Sequence, residues 1–324
     1  MESAPVVIGL SAVVIAVKGG EAVVLTVRPP GQGAPGLPFG PFDPDGDRTF
    51  ELALRAFVTA QTRFDLGYVE QLYTFGDKGR YAPVAVVDDG RAGAARVISV
   101  GYLALTPKAV DTTAPDTAWA DWTRFFPYED WREGRPAALD AIAPALERWA
   151  MGRPEAAARA RLLFALDEAP WNEERVLERY ELLYEAGLAP EAARDRGEAP
   201  PALPETQHEI LAAALGEPMI SDHRRILATA LSRLRGKLKY RPVVFELMPD
   251  AFTLSALQRA AEAVAGVPLH KQNFRRALER AGLVEGLGRV DAETGGRPAE
   301  LFRFRREMLS ARPVGGLSLP LLRD

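Results

Sequence analysis

Hydrophobic and polar positions change their spacing several times along the chain. Residues 6–28 contain two apolar runs rich in β-branched residues, "VVIGLSAVVIAV" and "AVVLTVR", which are typical of strands. The sequence "KGGE" separates them, and Gly19 and Gly20 can adopt the positive φ angles that a tight hairpin needs. The length of the first run predicts a strand that is buried on both faces.

An amphipathic helix with a Gly-containing exit is predicted over residues 49–67, "TFELALRAFVTAQTRFDLG", which follow a loop rich in Gly and Pro. Two further runs then favour strands, "YVEQLYTF" and, after a polar loop, "RVISVGYLALT". Strands and a helix in this order predict a mixed α+β domain over residues 1–134. That length lies within the usual range for one domain.

The pattern becomes purely helical over residues 135–220. Stretches such as "ALDAIAPALERWA" and "NEERVLERYELLYEAG" repeat apolar positions about every 3.6 residues, and the strand signals vanish. Pro154 and Pro190 divide this segment into short helices, and Gly187 is a suitable helix end. We expect an all-helical insertion that packs on its neighbours or on a second subunit, and a separate ligand-binding module is the alternative.

Residues 221–324 are predicted to form a linker helix followed by a helix-turn-helix unit. Ser221 can cap the linker helix, "SDHRRILATALSRLRGKLKYRP". Thr253 can cap the next helix, which Gly266 ends. A short turn leads to a further helix, "HKQNFRRALERA", which Gly282 closes. Two helices joined by so short a turn are typical of a helix-turn-helix.

The last of these helices has a polar side suited to base edges. Its apolar stripe consists of Phe274, Ala277, Leu278 and Ala281. When such a helix enters the major groove, Arg or Lys can pair with guanine, and Asn or Gln with adenine. The residues predicted to contact DNA lie outside the stripe or at its margins: Lys271, Gln272, Asn273, Arg275, Arg276 and Arg280.

A basic hairpin is predicted after the helices. The segments "LGRV" and "AELFRFRR" flank "DAETGGRP", in which Gly295 and Gly296 can form the tip. Phe302 and Phe304 should face the core, and Arg297 is placed to reach a phosphate or a minor groove. Helix, helix and hairpin together predict a winged helix-turn-helix that binds double-stranded DNA. The alternative is a solvated charged face with a wing that binds protein.

Composition narrows the class of protein. The chain has 324 residues, of which 47% are hydrophobic and 26% charged, as in ordinary globular proteins. The absence of cysteine excludes disulfides, thiolate metal sites and a catalytic thiol, and the three histidines are too scattered to suggest a zinc cluster. The apolar opening lacks a basic leader and is far shorter than the roughly 20 residues that span a membrane. We expect a cytoplasmic protein without a membrane partner.

Charge is distributed unevenly along the chain. Residues 222–312 contain 18 Lys and Arg against 10 Asp and Glu, a net charge of +8. Because the whole chain carries −4 and its last residues are neutral in sum, residues 1–221 carry −12. A basic C-terminal region in an otherwise acidic chain is typical of proteins that bind nucleic acid.

Several segments resemble the Nudix-related transcriptional regulators of NAD metabolism. The resemblance covers residues 6–130 and 220–307 and is carried by "LPFG", "YVEQLYTFGDKGR", "RVISVGYLAL", "DHRRILATALSRLRGKLKYRPVVFELMPDAFTLSALQ", "KQNFRRALERAGLVE" and "GGRPAELFRFR". It implies a Nudix-like mixed α/β/α sandwich domain and a C-terminal winged helix, with residues 135–220 inserted between them. It also implies a homodimer that binds operator DNA and represses genes of NAD biosynthesis or salvage, with ADP-ribose or another NAD-derived nucleotide as effector.

A working Nudix box carries glutamates on one face of a helix, where they hold the Mg²⁺ that bridges a substrate diphosphate. With Gly40 and Arg55 aligned on the box, the glutamate positions fall on Asp47, Ala56, Thr59 and Ala60. Because all the helix carboxylates are missing, we expect no metal site, no required cofactor and no hydrolysis by this mechanism. The domain would then serve as an effector sensor or a dimerisation scaffold.

Phosphate contacts with the effector are assigned to Arg28 at a strand end, to Arg55, and to the "TFGDKGR" turn that contains Asp77. A surface pair between Glu51 and Arg55, four residues apart on a helix, explains Arg55 at least as well.

Two other functions are weighed against a DNA-binding regulator. A protein-binding adaptor would use the helical insertion as its partner surface. A Nudix hydrolase of ADP-ribose or a related nucleoside diphosphate derivative would need carboxylates from the loop before the helix or from the helix start: Asp43, Asp45, Asp47 and Glu51.

Overall fold

A six-stranded mixed sheet and a two-stranded hairpin organise the protein. The computed structural model describes residues 6–63, 65–77, 80, 96–109, 114, 116–198, 204–291 and 298–307. The strands within these residues are β1 (Val6–Lys18), β2 (Glu21–Val27), β3 (Phe39–Pro41), β4 (Tyr68–Phe75), β5 (Arg96–Leu105), β6 (Thr117–Asp121), β7 (Val284–Asp291) and β8 (Ala299–Phe304). The α-helices are α1 (Phe50–Thr62), α2 (Leu139–Ala150), α3 (Pro154–Leu163), α4 (Val176–Glu185), α5 (Pro190–Arg196), α6 (Glu205–Leu215), α7 (His223–Tyr240), α8 (Leu254–Ala265) and α9 (Lys271–Ala281).

Strand β1 is the centre of the large sheet, whose order is β4-β5-β1-β2-β6 with β3 also paired to β1. It runs parallel to β5 and antiparallel to β2, where Ile15 lies opposite Val24. Residues 9–16 of β1 are buried, which confirms the prediction of a strand covered on both faces. Between β1 and β2, Gly19 and Gly20 have φ angles of +63° and +93°, as the predicted hairpin requires.

Helix α1 covers one face of the sheet. Its N-cap, Thr49, accepts a hydrogen bond from a first-turn N–H, and Leu54 and Val58 are buried against the strands. A left-handed φ of +55° at Arg63 ends the helix. The helix predicted within residues 49–67 is therefore confirmed, but it ends at Arg63 and not at the glycine of its predicted exit.

The opposite face of the sheet packs against α7, and α4 of the helical insertion lies along that helix. The insertion consists of the five short helices α2–α6 within the described residues, two of which begin at the prolines Pro154 and Pro190. No α-helix in the described ranges is long and apolar enough to cross a membrane. We call residues 6–129, which form the large sheet and α1, the body.

The predicted N-cap of the linker helix is wrong by one residue. Asp222 precedes α7, while Ser221 adopts a φ of +50°. The Asp222 carboxylate does not cap the helix, because it pairs with Arg80 at 3.1 Å and with Arg225 at 3.3 Å. Burial raises the pKa of Asp222 to about 6, although both arginines act in the opposite direction.

A fully buried carboxylate joins three parts of the chain. Glu129 ends a 3-10 turn, Pro127–Glu129, and has no exposed surface. Arg179 of α4 donates to both of its oxygens, and Arg235 of α7 donates to Oε2 at 2.7 Å. An unpaired charge in the interior costs several kcal/mol, on the order of 3 to 5. Glu129 therefore joins the body, the insertion and the linker helix.

The C-terminal end of α8 docks onto the same cluster. A Cβ on Gly266 would lie 2.5 Å from the Glu129 carbonyl oxygen, so glycine permits this close approach. Helix ends leave carbonyl groups without intrahelical partners. Here such carbonyl groups accept hydrogen bonds from elsewhere in the chain: Ala263 from the Trp122 indole at 3.0 Å, Val264 from Arg235 at 3.0 Å and Gly266 from the Trp131 N–H at 2.6 Å.

A buried histidine joins α7 to the segment before β3. His223 accepts a hydrogen bond at Nδ1 from the Leu37 N–H at 2.9 Å, and its ring meets Phe39 edge-on at 5.1 Å. Burial lowers the pKa of His223 to about 3, and the charge of Arg194 acts in the same direction. The imidazole is therefore neutral in the folded protein at neutral pH.

Replacing Glu129 with glutamine should lower the free energy of unfolding by about 3 to 5 kcal/mol, because two guanidiniums then stay buried beside a neutral group. Denaturant unfolding measures this loss. The matched control is Glu185→Gln, which breaks an exposed pair with Arg159 and should cost less than about 1 kcal/mol. Equal losses in the two variants would contradict the central role of Glu129.

Protonation of His223 should destabilise the protein in acid. Between about pH 6.5 and pH 3 the unfolded chain binds a proton at this residue that the folded protein does not bind. The contribution of His223 to the free energy of unfolding is therefore at its full value above about pH 6.5. Below that pH it falls by up to about 1.4 kcal/mol per pH unit. The raised pKa of Asp222 acts in the opposite direction between about pH 6 and pH 4.

Comparison of the wild type with His223→Gln separates the two groups, because Asp222 is present in both proteins. The two curves of unfolding free energy against pH should be parallel above about pH 6.5, and the wild-type curve should fall more steeply below it. Curves that stay parallel down to pH 4 would show that His223 is not held neutral.

Candidate nucleic-acid interface

The turn between α8 and α9 is fixed by side chains of α8. The Glu262 carboxylate accepts a hydrogen bond from the Leu269 N–H at 2.9 Å, and the Gln258 amide donates to the Leu269 carbonyl at 2.9 Å. Thr253 caps α8, and Gly282 closes α9 with a φ of +61°, as predicted. The two helices therefore meet in the geometry of a helix-turn-helix.

Helix α9 has one buried stripe and one broad polar face. Phe274, Ala277 and Leu278 are buried, which confirms the predicted packing side. Gln272 and Arg276 lie four residues apart on the opposite side of the helix. All the residues of this helix predicted to contact DNA are exposed: Lys271, Gln272, Asn273, Arg275, Arg276 and Arg280. Their contacts with DNA stay a prediction.

The cations of α9 differ from those of the wing in their partners. Within the described ranges, no salt bridge involves Lys271, Arg275, Arg276 or Arg280 of α9. The wing arginines, in contrast, have carboxylate partners: Arg303 with Glu285 at 3.0 Å, Arg305 with Glu307 at 3.2 Å and Arg306 with Glu246 at 3.4 Å. The helix therefore offers its charge to an external anion, and phosphate groups are the abundant anions of DNA.

Strands β7 and β8 form the predicted wing, and aromatic rings attach it to the domain. Phe304 stacks on Phe245 with ring centroids 4.1 Å apart. Phe302 exchanges two backbone hydrogen bonds with Phe252, the residue before the N-cap of α8. The predicted inward orientation of both wing phenylalanines is confirmed, because they pack against the core.

Two further arginines belong to the segment of the predicted wing. Arg297, the predicted tip residue, lies outside the described residues. Arg289 on β7 is exposed and forms no salt bridge within the described part of the chain. Arg289 was not among the predicted DNA contacts, although its place in "LGRV" beside the predicted tip is a sequence signal for such a role.

The helix in the Nudix-box position presents no carboxylate at the aligned positions. Ala56, Thr59 and Ala60 are exposed on α1. The Thr59 hydroxyl donates to the Asp65 carboxylate at 3.0 Å, which holds the exit of the helix. Across the described residues, no group of three His, Asp or Glu side chains could hold a metal ion.

Three of the four carboxylates that a hydrolase would need form local hydrogen bonds. Asp43 accepts a hydrogen bond from the Asp45 N–H at 3.0 Å, and Asp47 accepts one from the Asp43 N–H at 2.8 Å. Glu51 accepts a hydrogen bond from Arg55 at 3.0 Å. These contacts stabilise the turn before α1 and the first turns of the helix.

The residues assigned to an effector lie in different surroundings. Arg28 lines a cleft at the end of β2. Arg55 forms the pair with Glu51 that was its alternative explanation, and it also donates to backbone carbonyl groups just after α1. Asp77 pairs with Arg225, and this hydrogen bond lowers the pKa of Asp77. No hydrogen bond or ion pair joins any two of the three assigned residues in the described part of the chain, and their binding role stays a prediction.

Comparisons with known proteins match the C-terminal region at the level of sequence. Residues 244–304 match the family model of the NrtR DNA-binding winged helix domain. The chain is also similar to the ADPR responsive transcriptional repressor NtrR of Acinetobacter baylyi, with 38% identity over 94 residues. That alignment covers 29% of this chain and 37% of the repressor, so the chain matches little more than a third of this relative.

Two solved structures of NrtR from Shewanella oneidensis share the overall fold. NrtR alone gives a TM-score of 0.52 and NrtR complexed with a 27mer DNA gives 0.51, each at 20% identity. The alignments cover 94% of this chain and 96% and 95% of those chains, respectively. They confirm the predicted resemblance and the predicted α+β class with a Nudix-like body and a C-terminal winged helix. Residues 244–304 therefore match the NrtR DNA-binding winged helix domain, and the chain as a whole shares the fold of the Shewanella NrtR structures.

Proposed function

We propose that the chain is an NrtR-like transcriptional repressor that binds double-stranded DNA through α9 and the wing. The observation that carries this proposal is the set of four exposed cations on α9 that have no acidic partner among the described residues. They project from the second helix of a helix-turn-helix, the helix that enters the major groove in such domains. The acidic remainder of the chain makes this basic surface the electrostatic site for DNA.

The residues on the polar face of α9 are proposed to have two roles. Some contact the bases of DNA, and the others contact its phosphate backbone. Gln272 and Asn273 suit adenine, and Arg275 and Arg276 suit guanine. The other cations are proposed to bind phosphates and to set the position of the helix on the duplex: Lys271, Arg280, Arg289 and Arg297.

ADP-ribose is the proposed effector, and genes of NAD biosynthesis or salvage are the proposed targets. The support is the resemblance to the Nudix-related regulators together with the similarity to the Acinetobacter repressor, whose name describes it as ADPR responsive. A homodimer is proposed because two winged helices would then meet two half-sites of one operator.

The body is proposed to bind its ligand without hydrolysing it. The aligned helix positions carry Ala56, Thr59 and Ala60 in place of glutamates, and the loop carboxylates of Asp43 and Asp47 accept local hydrogen bonds. A Mg²⁺-dependent diphosphate hydrolase needs several free oxygen ligands at one place.

Replacing Arg275 or Arg276 with alanine should weaken operator binding by about 1 to 3 kcal/mol if the side chain reads a base. Duplexes selected from a randomised pool supply the operator, and fluorescence anisotropy at several salt concentrations measures affinity. The control is Arg161→Ala, which removes an exposed arginine from α3 of the insertion and should leave affinity unchanged.

Sequence-dependent, salt-sensitive binding at or below about micromolar protein is the result expected of the wild type. The absence of such binding would overturn the proposed function. Variants of Arg275 and Arg276 that bind as tightly as the Arg161 variant would remove these two residues from the base-reading set.

Incubation with ADP-ribose and Mg²⁺ or Mn²⁺ should give no cleavage products above the background rate, because the helix carboxylates are missing. Chromatography of the nucleotides measures this outcome. Turnover by the wild type that disappears in an Asp47→Asn variant would show that the loop carboxylates do support hydrolysis.

A further inference from the structure

A cleft of about 170 Å³ lies between the end of β2, the start of β6 and the segment that leads into α7. The body forms two of its walls, and the end of the helical insertion forms the third. The polar side chains that line it are Thr26, Arg28, Asp116, Thr117, Arg124 and Glu217.

Arg28 brings a cation without a carboxylate partner into this cleft. One of its guanidinium N–H groups donates to the Gly33 carbonyl at 2.9 Å, and the side chain forms no salt bridge within the described part of the chain. Its backbone N–H donates to the Asp116 carbonyl at 2.7 Å, which fixes its position at the strand end. A guanidinium has five N–H donors, so most of them remain available to a ligand.

Arg124 brings a second guanidinium, which is paired in this structure with Glu217. The two side chains form three hydrogen bonds of 2.8 to 3.1 Å, and they are 53% and 45% exposed. A guanidinium fork binds carboxylate and phosphate in the same bidentate geometry. Glu217 therefore occupies the place that a ligand oxyanion would take, and an exposed pair of this kind is weak enough to be replaced.

The backbone holds Glu217 in this position. Gly216 has a φ of +83°, and a Cβ there would lie 2.5 Å from the Phe125 carbonyl oxygen. The Glu217 N–H donates to the Arg124 carbonyl at 2.8 Å. The contact lies just before α7, the helix whose Arg235 binds the end of α8.

The geometry points to an oxyanion site in this cleft, where a phosphate group of a nucleotide or sugar phosphate takes the Arg124 guanidinium from Glu217. Arg28 supplies a second cation in the same cleft, and the Asp116 carboxylate supplies an acceptor for ligand hydroxyl groups. Free phosphate or pyrophosphate is the other source of this chemistry. The assignment of the site to an effector rests on the proposed function, whereas anion binding itself requires no DNA.

Calorimetric titration of the full chain with pyrophosphate, ribose 5-phosphate and ADP-ribose tests the site. Arg124→Ala should weaken binding about tenfold or more, because a charge-assisted hydrogen bond is lost. Glu217→Gln should tighten binding about two- to fivefold, because the internal competitor loses its charge. The matched controls are Arg159→Ala and Glu185→Gln, from a 2.8 Å pair that is 52% and 51% exposed, and both should bind as the wild type does.

The gain expected of Glu217→Gln keeps the test independent of folding, since a damaged protein does not bind more tightly. The site is overturned if none of the three compounds binds at about millimolar concentration, or if both cleft variants behave as their controls do. Binding of pyrophosphate without ADP-ribose would support the oxyanion site and count against the proposed effector. Loss of DNA binding with intact anion binding would separate a failure of the proposed function from a failure of the site.

Discussion

The carboxylate of Glu129 is shared between Arg179 and Arg235, and all three side chains are almost completely removed from solvent. Buried charges are stable only when each is paired, so the three residues must arrive together. They belong to the body, the insertion and the linker helix. The relative positions of these three parts are therefore set by a charge requirement as well as by apolar packing.

Aromatic residues enclose the two arginines. The Arg179 guanidinium lies 3.8 Å from the centre of the Trp171 ring, and Arg235 lies 4.9 Å from that of Trp122. Trp122 also donates to the last turn of α8. Trp122 and Arg235 thus hold α8, the first helix of the winged helix domain. Because side chains of α8 also fix the turn to α9, the exposed face of α9 has a defined orientation relative to the sheet.

Local patterns were enough to predict much of this protein. Apolar runs and 3.6-residue spacing located β1, β2, β4 and β5 of the body and the helices of the winged helix domain, since both signals come from neighbouring residues. The short strands β3 and β6 were not predicted. The exposed set on α9 followed from its apolar stripe. The end of α1 was missed, because the left-handed conformation of Arg63 has no signal as clear as a glycine.

Contacts between distant residues were outside the reach of those patterns. Arginine on a helix normally indicates a solvated face, so Arg179 and Arg235 gave no sign of burial. The N-cap of α7 was missed for a similar reason, because Asp222 finds its partner Arg80 far away in sequence. The pairing of Arg124 with Glu217 also spans most of the insertion.

The placement of Arg179 has a consequence for how this protein can be divided. Residues 135–220 have the length of an independent cassette, yet their removal would take away one of the two cations around Glu129 and strip α7 of the apolar cover provided by α4. A shortened chain without them would therefore have an incomplete core. Because Arg179 and α4 take part in the buried contacts with the body and α7, the insertion is built into the packed core and is not a surface appendage.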